Sequence, residues 1–473
     1  MNVLLIYPDT DPLSIIPDGL INIEPLGLEY LAGNLQDHDV TILDLKVEKR
    51  WQRVVDQGRP DVVGISGTVV HTSRMLAILD YVKHVHATAV TVVGGPHATL
   101  VPDDFAAPQV DVLIAGQNPI AFRRLVEAVD MGRAFDGIEG LMLRSGDGWK
   151  STAPVRAFKD LDHLPMPRRD LTSRFRSRYR HLVWKPVALM ITSVGCPYGC
   201  NFCPCPVLTD RRVLRRSPDA VLQELLEIDE PYVYIGDDNL FFDYGHASRI
   251  ADLVKHSRLD KQFYVLSRVD SILRHPDIVE KWAEIGLKKV FLGLESPDDA
   301  ELKSLNKKGS VSENGQAIEI LHANGVDPLG AFIIRPEYTR ADFDRVLEYM
   351  DRMGIYYFEF TVLTPLPGTP FHDEVRDDIL SHDTRLYDLA HSLFPTRLPT
   401  DEFYREYRRL HRRSASLTRA LRIKPAVSPF RSFSYLRMAP HLGGLFVSAR
   451  KAYRDLSKLD EFKPGATQRQ FVN

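Results

Sequence analysis

The chain has four cysteines, and all four lie within ten consecutive positions of its 473 residues. Cys196, Cys200 and Cys203 form a C-x3-C-x2-C pattern on one short loop, and Cys205 follows two residues later. Cysteine thiolates are the ligands that iron–sulfur clusters take from proteins, usually four to a cluster. Three thiolates can hold three corners of a cubane cluster and leave the fourth iron open to bind a small molecule.

Two other chemistries use clustered cysteines. A structural zinc site takes four ligands in tetrahedral geometry, and Cys205 would have to be the fourth, although only Pro204 separates it from Cys203. Disulfides are typical of exported proteins, whereas the sequence shows no charged and then apolar signal segment at its start. The spacing therefore favours the open-cornered cluster over zinc or plain buried thiols, and it gives Cys205 no role.

The stretch from Gly195 to Cys203 resembles the signature of the radical S-adenosylmethionine enzymes. In that family the open iron chelates the amine and carboxylate of the methionyl group, and an aromatic residue before the last cysteine, here Phe202, lies beside the adenine. The resemblance implies a [4Fe-4S] cluster that cleaves S-adenosylmethionine into methionine and a 5'-deoxyadenosyl radical. Such a radical takes hydrogen from unactivated carbon.

The bulk composition is that of a globular protein of two or three domains, with 44% hydrophobic and 26% charged residues. No stretch of 18 apolar residues occurs, so a membrane-spanning helix is not expected and the sequence favours a soluble, cytoplasmic protein. The net charge of -3 conceals a strong asymmetry, because residues 404–454 hold thirteen Lys or Arg and one acid, Glu406.

Two interpretations of the basic stretch 404–454 stay open. It is either a solvated helical face that packs on the acidic body or a surface that contacts an anionic membrane or a phosphate-bearing substrate. Aromatic and apolar residues that follow the basic run, including Phe430, Phe433 and Leu436, are compatible with a membrane surface. No recognised nucleic-acid-reading module is present, so nucleic acid is not an expected partner.

Residues 1–145 alternate between short apolar runs and helical patterns, which predicts a doubly wound α/β domain. The predicted strands are 3–6, 40–43, 62–65, 90–93 and 112–114, and ligands of such sheets bind at the carboxyl ends of the strands. The small residues that follow these strands resemble the cobalamin-binding domain found before many radical S-adenosylmethionine cores. The resemblance implies a cobalamin site formed by Ser66, Thr68, Val70, Gly94, Gly95, Pro96, His97 and Gly116.

Two departures from that family are visible. The Asp-x-His-x-x-Gly motif that supplies a cobalt ligand elsewhere is absent after the first strand, and residues 116–119 read Gly-Gln-Asn-Pro where relatives often have Gly-Glu-Gly-Glu. Cobalamin is therefore expected to bind without that histidine. His71 lies near the expected lower face of the cobalt, where axial ligation is one interpretation and an ordinary hydrogen-bonding histidine is the other.

A connector over residues 146–185 precedes a second run of strands and helices, residues 186–400, and a helical basic region, residues 401–473, ends the chain. Six strand–helix units predict a partial (β/α)6 barrel, with the cysteine loop at the carboxyl end of its first strand. Polar residues follow the later strands at positions where the family binds S-adenosylmethionine: Asp237, Asp238, Arg268 and Glu295. The alternative for each of them is a structural salt bridge.

The resemblance covers roughly residues 1–410 and is to the cobalamin-dependent radical S-adenosylmethionine methyltransferases. Residues 385–388 and 395–399, outside the cofactor motifs, resemble the hopanoid C-3 methylases and suggest a lipid or natural-product substrate. The implied reaction uses one S-adenosylmethionine to methylate cobalamin and a second to make the radical, with an electron donor such as flavodoxin or ferredoxin. The alternatives are a cobalamin-dependent radical oxidase or cyclase of the anaerobic porphyrin cyclase type and a non-catalytic sensor.

Overall fold

The computed structural model of the protein describes residues 1–11, 13–14, 21–116, 118–154, 159–182 and 184–416. Two α/β units follow one another along the chain, each built around its own sheet. Of the helical region predicted over 401–473, the described part is helical to residue 414. The rest of that region, with most of the basic stretch 404–454, lies outside the described residues. In the described ranges, no helix combines the length and apolarity needed to cross a bilayer.

The first unit alternates strands and helices. Its strands are β1 (Asn2–Tyr7), β2 (Ile21–Asn22), β3 (Asp39–Asp44), β4 (Val62–Ser66), β5 (Val90–Gly94), β6 (Val112–Ile114), β7 (Leu141–Ser145) and β8 (Gly148–Ser151). Its helices are α1 (Leu26–Gly33), α2 (Trp51–Gly58), α3 (Thr72–Val85), α4 (Pro96–Leu100) and α5 (Pro119–Asp130).

Seven of these strands form one sheet in the order β3-β1-β4-β5-β6-β7-β8. The first five are parallel to their neighbours, and the hairpin β7–β8 joins antiparallel at the β6 edge. Leu5 and Leu4 pack into separate cores on the two faces of the sheet, which is why these strands read as continuous apolar runs. The doubly wound domain is confirmed, and its sheet continues past residue 145, the boundary expected from the sequence.

A connector leads from this sheet to the second unit. Within it, residues Arg169–Arg178 form 3-10 turns beside α1 and β3. The short strand β9 (Arg180–His181) then pairs antiparallel with β2 of the first unit. The connector is therefore held against the first domain over residues 169–181.

The second unit contains the remaining elements. Its strands are β10 (Val187–Met190), β11 (Ser193–Val194), β12 (Leu214–Arg215), β13 (Tyr232–Ile235), β14 (Gln262–Ser267), β15 (Leu287–Glu295), β16 (Asp327–Ile334) and β17 (Tyr357–Val362). Its helices are α6 (Cys205–Leu208), α7 (Pro218–Glu227), α8 (Tyr244–Ser257), α9 (Val269–Arg274), α10 (Asp277–Glu284), α11 (Asp299–Ser304), α12 (Val311–Ala323), α13 (Arg340–Arg352), α14 (Pro370–Glu374) and α15 (Thr400–Ser414).

Six of these strands make a parallel sheet in the order β10-β13-β14-β15-β16-β17, which confirms the predicted partial barrel. Along each strand, alternate residues such as Val233 and Ile235 pack against the outer helices in one large core. The residues between them face the lumen of the barrel, because side chains alternate along a strand. The cysteine loop follows β10, so it lies at the carboxyl end of the sheet.

A buried ionic network joins the two units. Arg169 of the connector donates to Glu24, just before α1, at 2.6 Å and to Glu224 of α7 at 2.5 Å. Its guanidinium also donates to the backbone carbonyl of Leu189 in β10, whose amide donates to Glu24. One side chain therefore links the first domain, the connector and the barrel.

Further charges extend this network. Arg216 donates to Glu224 and, at 3.0 Å, to the hydroxyl of Tyr30 on α1. Arg176 donates to Glu24 and to Glu230, and burial raises the pKa of the nearby Glu29 to about 7 against the lowering effect of Arg169. All four glutamates are buried, so their charges depend on these arginines for stabilisation.

Replacing Arg169 with Met should leave Glu24 and Glu224 buried without their shared partner. We expect this change to lower the free energy of unfolding by about 3 kcal/mol or more, as for other broken buried ion pairs. The control is Arg168→Met, which removes an exposed pair with Asp170 and should cost less than about 1 kcal/mol. Anaerobic denaturant titration followed by tryptophan fluorescence measures both. Equal losses would contradict a joining role for Arg169.

Candidate active site

The cysteine loop turns sharply where it leaves the barrel sheet. Gly195 has φ +105°, and a Cβ at this position would collide with the backbone oxygen of Arg212, so the turn requires glycine. Cys196 and Cys200 are buried and Cys203 is half-buried. The structure thus places the three predicted ligands on one loop at the strand ends.

Arg268 lies under this loop. Its guanidinium donates to the Sγ of Cys200 at 3.5 Å and to Asp270 at 2.8 Å, and it stacks on the ring of Tyr198 at 3.7 Å. Arg268 is buried. Its guanidinium therefore supports the cysteine loop directly, and the contact with S-adenosylmethionine expected from the sequence stays a prediction.

The cysteine loop suits a cluster by its donor chemistry. Burial raises the pKa of Cys196 and, to about 12, that of Cys203, so these thiols need a cation to become thiolates. In the part of the chain that the structure describes, no three His, Cys, Asp or Glu side chains converge as the ligands of one ion do. A cubane iron–sulfur cluster does not need three ligands on one ion, because each of three separate irons takes one thiolate. The three cysteines therefore fit a cubane cluster.

Asp237 and Asp238, adjacent in sequence, have different surroundings. Asp237 is fully buried, and its carboxylate accepts hydrogen bonds from Thr192 and from the hydroxyl of Ser193. Asp237 holds the segment that follows β10 and offers no surface to a ligand. The structure therefore does not place it where it could contact S-adenosylmethionine, as the sequence predicted. Asp238 is exposed, and its Oδ2 accepts from the amide of Gly195 at 2.8 Å.

Glu295 ends β15 in a left-handed conformation, φ +60°. Its carboxylate is 2.6 Å from the Nζ of Lys307, and a Cβ on Gly293 would overlap both groups. Gly293 therefore leaves the space in which this pair forms. Phe202 lies in an apolar cluster with Leu305 and Ile333, next to the last cysteine of the motif.

Two residues with contacts at this site were not predicted as site residues. Asn306 donates to the backbone oxygen of Gly199 in the cysteine loop at 2.5 Å, and Lys307 donates to Glu295. Both follow α11, and only the fold shows what they contact.

A cavity of about 460 Å³ lies between the two domains at the carboxyl ends of both sheets. This volume is within the range of small-molecule sites. The first domain contributes small residues to its wall, and the barrel contributes the ends of β10 and β13. Residues on the two sides include Gly27, Ser66, Gly94, Gly95 and Gly116 from the first domain, and Leu189, Ile191, Gly236 and Asp238 from the barrel.

Glycines form part of the first-domain wall of this cavity, beside apolar side chains such as Ile65 and Ile114. Gly95 has φ +102° and approaches Ser66 so closely that a Cβ would lie 2.7 Å from the Ser66 hydroxyl. Gly116 has φ +73° and, like Gly27, has open space where a Cβ would be. The fold thereby brings together four of the predicted cobalamin residues at one concave wall of the cavity: Ser66, Gly94, Gly95 and Gly116. Larger side chains at the glycine positions would fill this space.

The other four predicted cobalamin residues do not line this cavity. Thr68 caps the turn Val69–His71, and Val70 packs in a core with Ile379 and Leu386 from the far end of the chain. Pro96 is exposed at the start of α4. His97 is buried, with its Nε2 2.7 Å from Asp104, so local packing accounts for it without a ligand.

His71 is buried after the β4 loop, and its Nδ1 accepts the backbone N–H of Thr68 at 3.1 Å. A ring nitrogen that accepts carries no proton, so the neutral ring is protonated at Nε2. Burial lowers the pKa of His71 to about 4, which keeps the ring neutral. In this arrangement the Nε2 N–H is buried with no hydrogen-bond partner among the described residues, and the ring offers a metal a lone pair only if that proton is lost.

Comparison with known proteins agrees with this geometry. Residues 21–126 match the B12 binding domain, and residues 190–350 match the radical SAM superfamily. The chain is 29% identical over 417 residues to the hopanoid C-3 methylase of Methylococcus capsulatus, covering 86% of this chain and 78% of that protein. It is 24% identical over 370 residues to the bacteriochlorophyllide d C-8(2)-methyltransferase of Chlorobaculum tepidum, covering 75% and 76%.

Among solved structures, the fold is similar to that of OxsB, a cobalamin-dependent S-adenosylmethionine radical enzyme with aqua-cobalamin and S-adenosylmethionine bound. The TM-score is 0.70 at 16% identity, and the match covers 96% of this chain and 74% of that one. The chain belongs to the cobalamin-dependent radical S-adenosylmethionine enzymes. It is a methyltransferase of that class, whose cofactors are a [4Fe-4S] cluster, S-adenosylmethionine and cobalamin.

The open space beside Gly27 makes the predicted cobalamin site in this cavity testable. Gly27→Leu places a side chain at the cavity wall, and we expect it to weaken hydroxocobalamin binding at least tenfold. Gly58→Leu is the matched control, because Gly58 is also helical with open space around it but lies away from the cavity. Equilibrium dialysis read by absorbance measures both. Wild-type affinity in Gly27→Leu would place cobalamin elsewhere.

Proposed function

We propose that this enzyme methylates an unactivated carbon of an apolar, hopanoid-like lipid or a natural product of similar character. The observation that carries the proposal is the similarity to the hopanoid C-3 methylase, whose 29% identity exceeds the 24% to the bacteriochlorophyllide d C-8(2)-methyltransferase. It spans 417 residues, well beyond the two cofactor-domain matches. The substrate is a small molecule in either case.

The C-terminal part of that similarity has a structural counterpart. Residues 379–393 pack against Val69 and Val70, in the turn that follows β4 of the cobalamin domain. Leu386 and Tyr387, within the hopanoid-methylase-like stretch, belong to this contact. The stretch that resembles the hopanoid methylases therefore contacts the cobalamin domain. This contact supports the proposed hopanoid-like substrate with evidence from outside the cofactor motifs.

Residues of this chain have definable tasks in the reaction. Cys196, Cys200 and Cys203 would hold the cluster, and Arg268 orients Cys200 from below. Asp238 links the cysteine loop to the cobalamin cavity. Glu295 and Lys307 form an ion pair near the cysteine loop. When bound, the cluster with S-adenosylmethionine supplies a carbon-activating radical, and cobalamin supplies the methyl group.

The cluster needs an external electron, and exposed cations surround the outer side of its loop. The Arg211 guanidinium lies beside Gly199, and Arg274 donates to Tyr198 at 3.0 Å. Lys308 is exposed, and its backbone oxygen accepts from Arg268 at 3.3 Å. Such a surface favours docking of an acidic carrier, so we propose that flavodoxin or ferredoxin docks here.

A second expected contact is with a membrane. An apolar lipid substrate would reach the enzyme from a bilayer, and the basic stretch 404–454 has the composition of a surface that contacts anionic lipid. This contact stays a prediction from the sequence.

The methylation is tested with reconstituted enzyme, a hopanoid and S-adenosylmethionine labelled in its methyl group. We expect labelled methylhopanoid together with 5'-deoxyadenosine and S-adenosylhomocysteine. Deoxyadenosine without methylated product would instead indicate an oxidase or cyclase, and no turnover of S-adenosylmethionine would indicate a sensor. Cys203→Ala should lose iron and all three products, whereas Cys205→Ala should keep them.

Electron delivery is tested by charge reversal. Arg211→Glu and Lys308→Glu should each raise the KM for an acidic carrier severalfold at low salt, with a smaller effect at high salt because ions screen the attraction. Dithionite-driven activity should stay unchanged. Lys288→Glu, exposed at the amino end of β15, is the control. Equal KM values in all three variants would reject this docking surface.

A further inference from the structure

One acidic residue of the barrel lumen has no task in the reaction described so far. On β17, Phe358, Phe360 and Val362 pack outward into the helical core. Because side chains alternate along the strand, Glu359 points into the lumen with Tyr357 and Thr361. A carboxyl group inside a barrel is costly to bury unless something solvates it.

The lumen is closed by aromatic residues at one end and opens toward the cysteine loop at the other. Trp184, Tyr264 and Tyr357 pack together to form the floor, and Tyr234 stacks on Tyr264 with ring centroids 4.8 Å apart. At the other end, Leu363 packs near Phe202. Glu359 and Leu363 are four positions apart, which is about 13 Å along an extended strand. Glu359 therefore lies deep in the lumen, just above the floor.

The space around Glu359 is lined by small or half-buried residues. In the register of the sheet, Ala331 lies opposite Glu359 and Gly293 lies opposite Ala331. Leu266 and Phe291 are only half-buried although β14 and β15 lie inside the sheet, and Glu359, on the edge strand β17, is half-buried as well. The lumen is thus open at this level, with the Glu295–Lys307 ion pair beside Gly293.

The carboxyl of Glu359 and two phenols lie at the same end of the lumen. Tyr234 and Tyr264 belong to the cluster that contains Tyr357, two residues before Glu359. Burial raises the pKa of Glu359, and the negative charge of Glu295 raises it further. Burial also raises the pKa of Tyr234 and of Tyr264, and the charge of Glu359 adds to this effect. Carboxyl and phenol groups offer hydrogen-bond donors and acceptors to a hydroxyl group.

We propose that Glu359 and Tyr234 bind an uncharged hydroxyl group on an elongated apolar substrate, at the end remote from the carbon that is methylated. This inference rests on the proposed function and adds to it. It makes Glu359 a substrate-binding residue that selects an alcohol over the corresponding hydrocarbon. The aromatic rings of the floor hold the carbon skeleton, with the Nζ of the buried Lys289 4.6 Å from the rings of Trp184 and Tyr357. The depth of the site sets the separation between the hydroxyl and the reacting end.

The test measures binding and turnover separately, with tritiated diplopterol as the hopanoid alcohol and diploptene as the hydrocarbon. Equilibrium gel filtration of holoenzyme should show that wild type prefers the alcohol on the order of tenfold, which corresponds to one net hydrogen bond. Glu359→Gln, which keeps the hydrogen bond, should retain most of this preference. Glu359→Leu should abolish it and leave diploptene affinity unchanged or higher. Glu348→Leu, on the exposed face of α13, is the control and should behave as wild type.

The outcomes separate this inference from the proposed methylation. Equal binding of the two probes by wild type, no binding of either, or an alcohol preference that persists in Glu359→Leu would overturn the lumen site, whatever the turnover. A lost preference in Glu359→Leu supports the site even where no methylhopanoid forms. Methylhopanoid formation without the preference would keep the proposed function and reject Glu359 as its binding residue.

Discussion

The structure depends most on the hydrogen bonds that Arg169 makes to Glu24 and Glu224. These carboxylates belong to different domains, and both are buried. Neither can move away without leaving a charge unsolvated in the interior, which costs several kcal/mol. A hydrophobic contact would let the two domains slide past each other, whereas these paired charges fix one relative position of the domains. The interdomain cavity exists only in that position, because its wall is contributed by both sheets.

That constraint brings the cysteine loop and the interdomain cavity next to each other. Asp238 shows this most directly, since it lines the cavity and accepts a hydrogen bond from Gly195 at the base of the cysteine loop. The carboxyl ends of two parallel sheets face each other, so loops that follow strands in each domain meet without long insertions. A methyl group and an activated carbon must come within bonding distance for this chemistry, and the facing sheets provide that proximity.

Much of this arrangement could be predicted from the sequence. The apolar runs located both sheets, and the cysteine spacing located the loop, because these signals are local. The ionic network was not predictable, since Glu24 lies 145 residues from Arg169 and nothing in either neighbourhood marks the pair. His97 is a different case, because a resemblance at one loop suggested a ligand contact and the sequence did not reveal that Asp104, seven residues away, pairs with the ring.

Strand alternation explains which acids are structural and which face a ligand. On β13 and its extension, Val233, Ile235 and Asp237 point toward the core, and Tyr234, Gly236 and Asp238 point toward the open side. Adjacent aspartates therefore have opposite surroundings, and motif position alone cannot separate them. By the same alternation, Glu359 points into the lumen, whereas its neighbours Phe358 and Phe360 point outward. In a run as apolar as Tyr-Phe-Glu-Phe-Thr-Val, a single acid on the lumen side is retained at an energetic cost, which a bound hydroxyl group would offset.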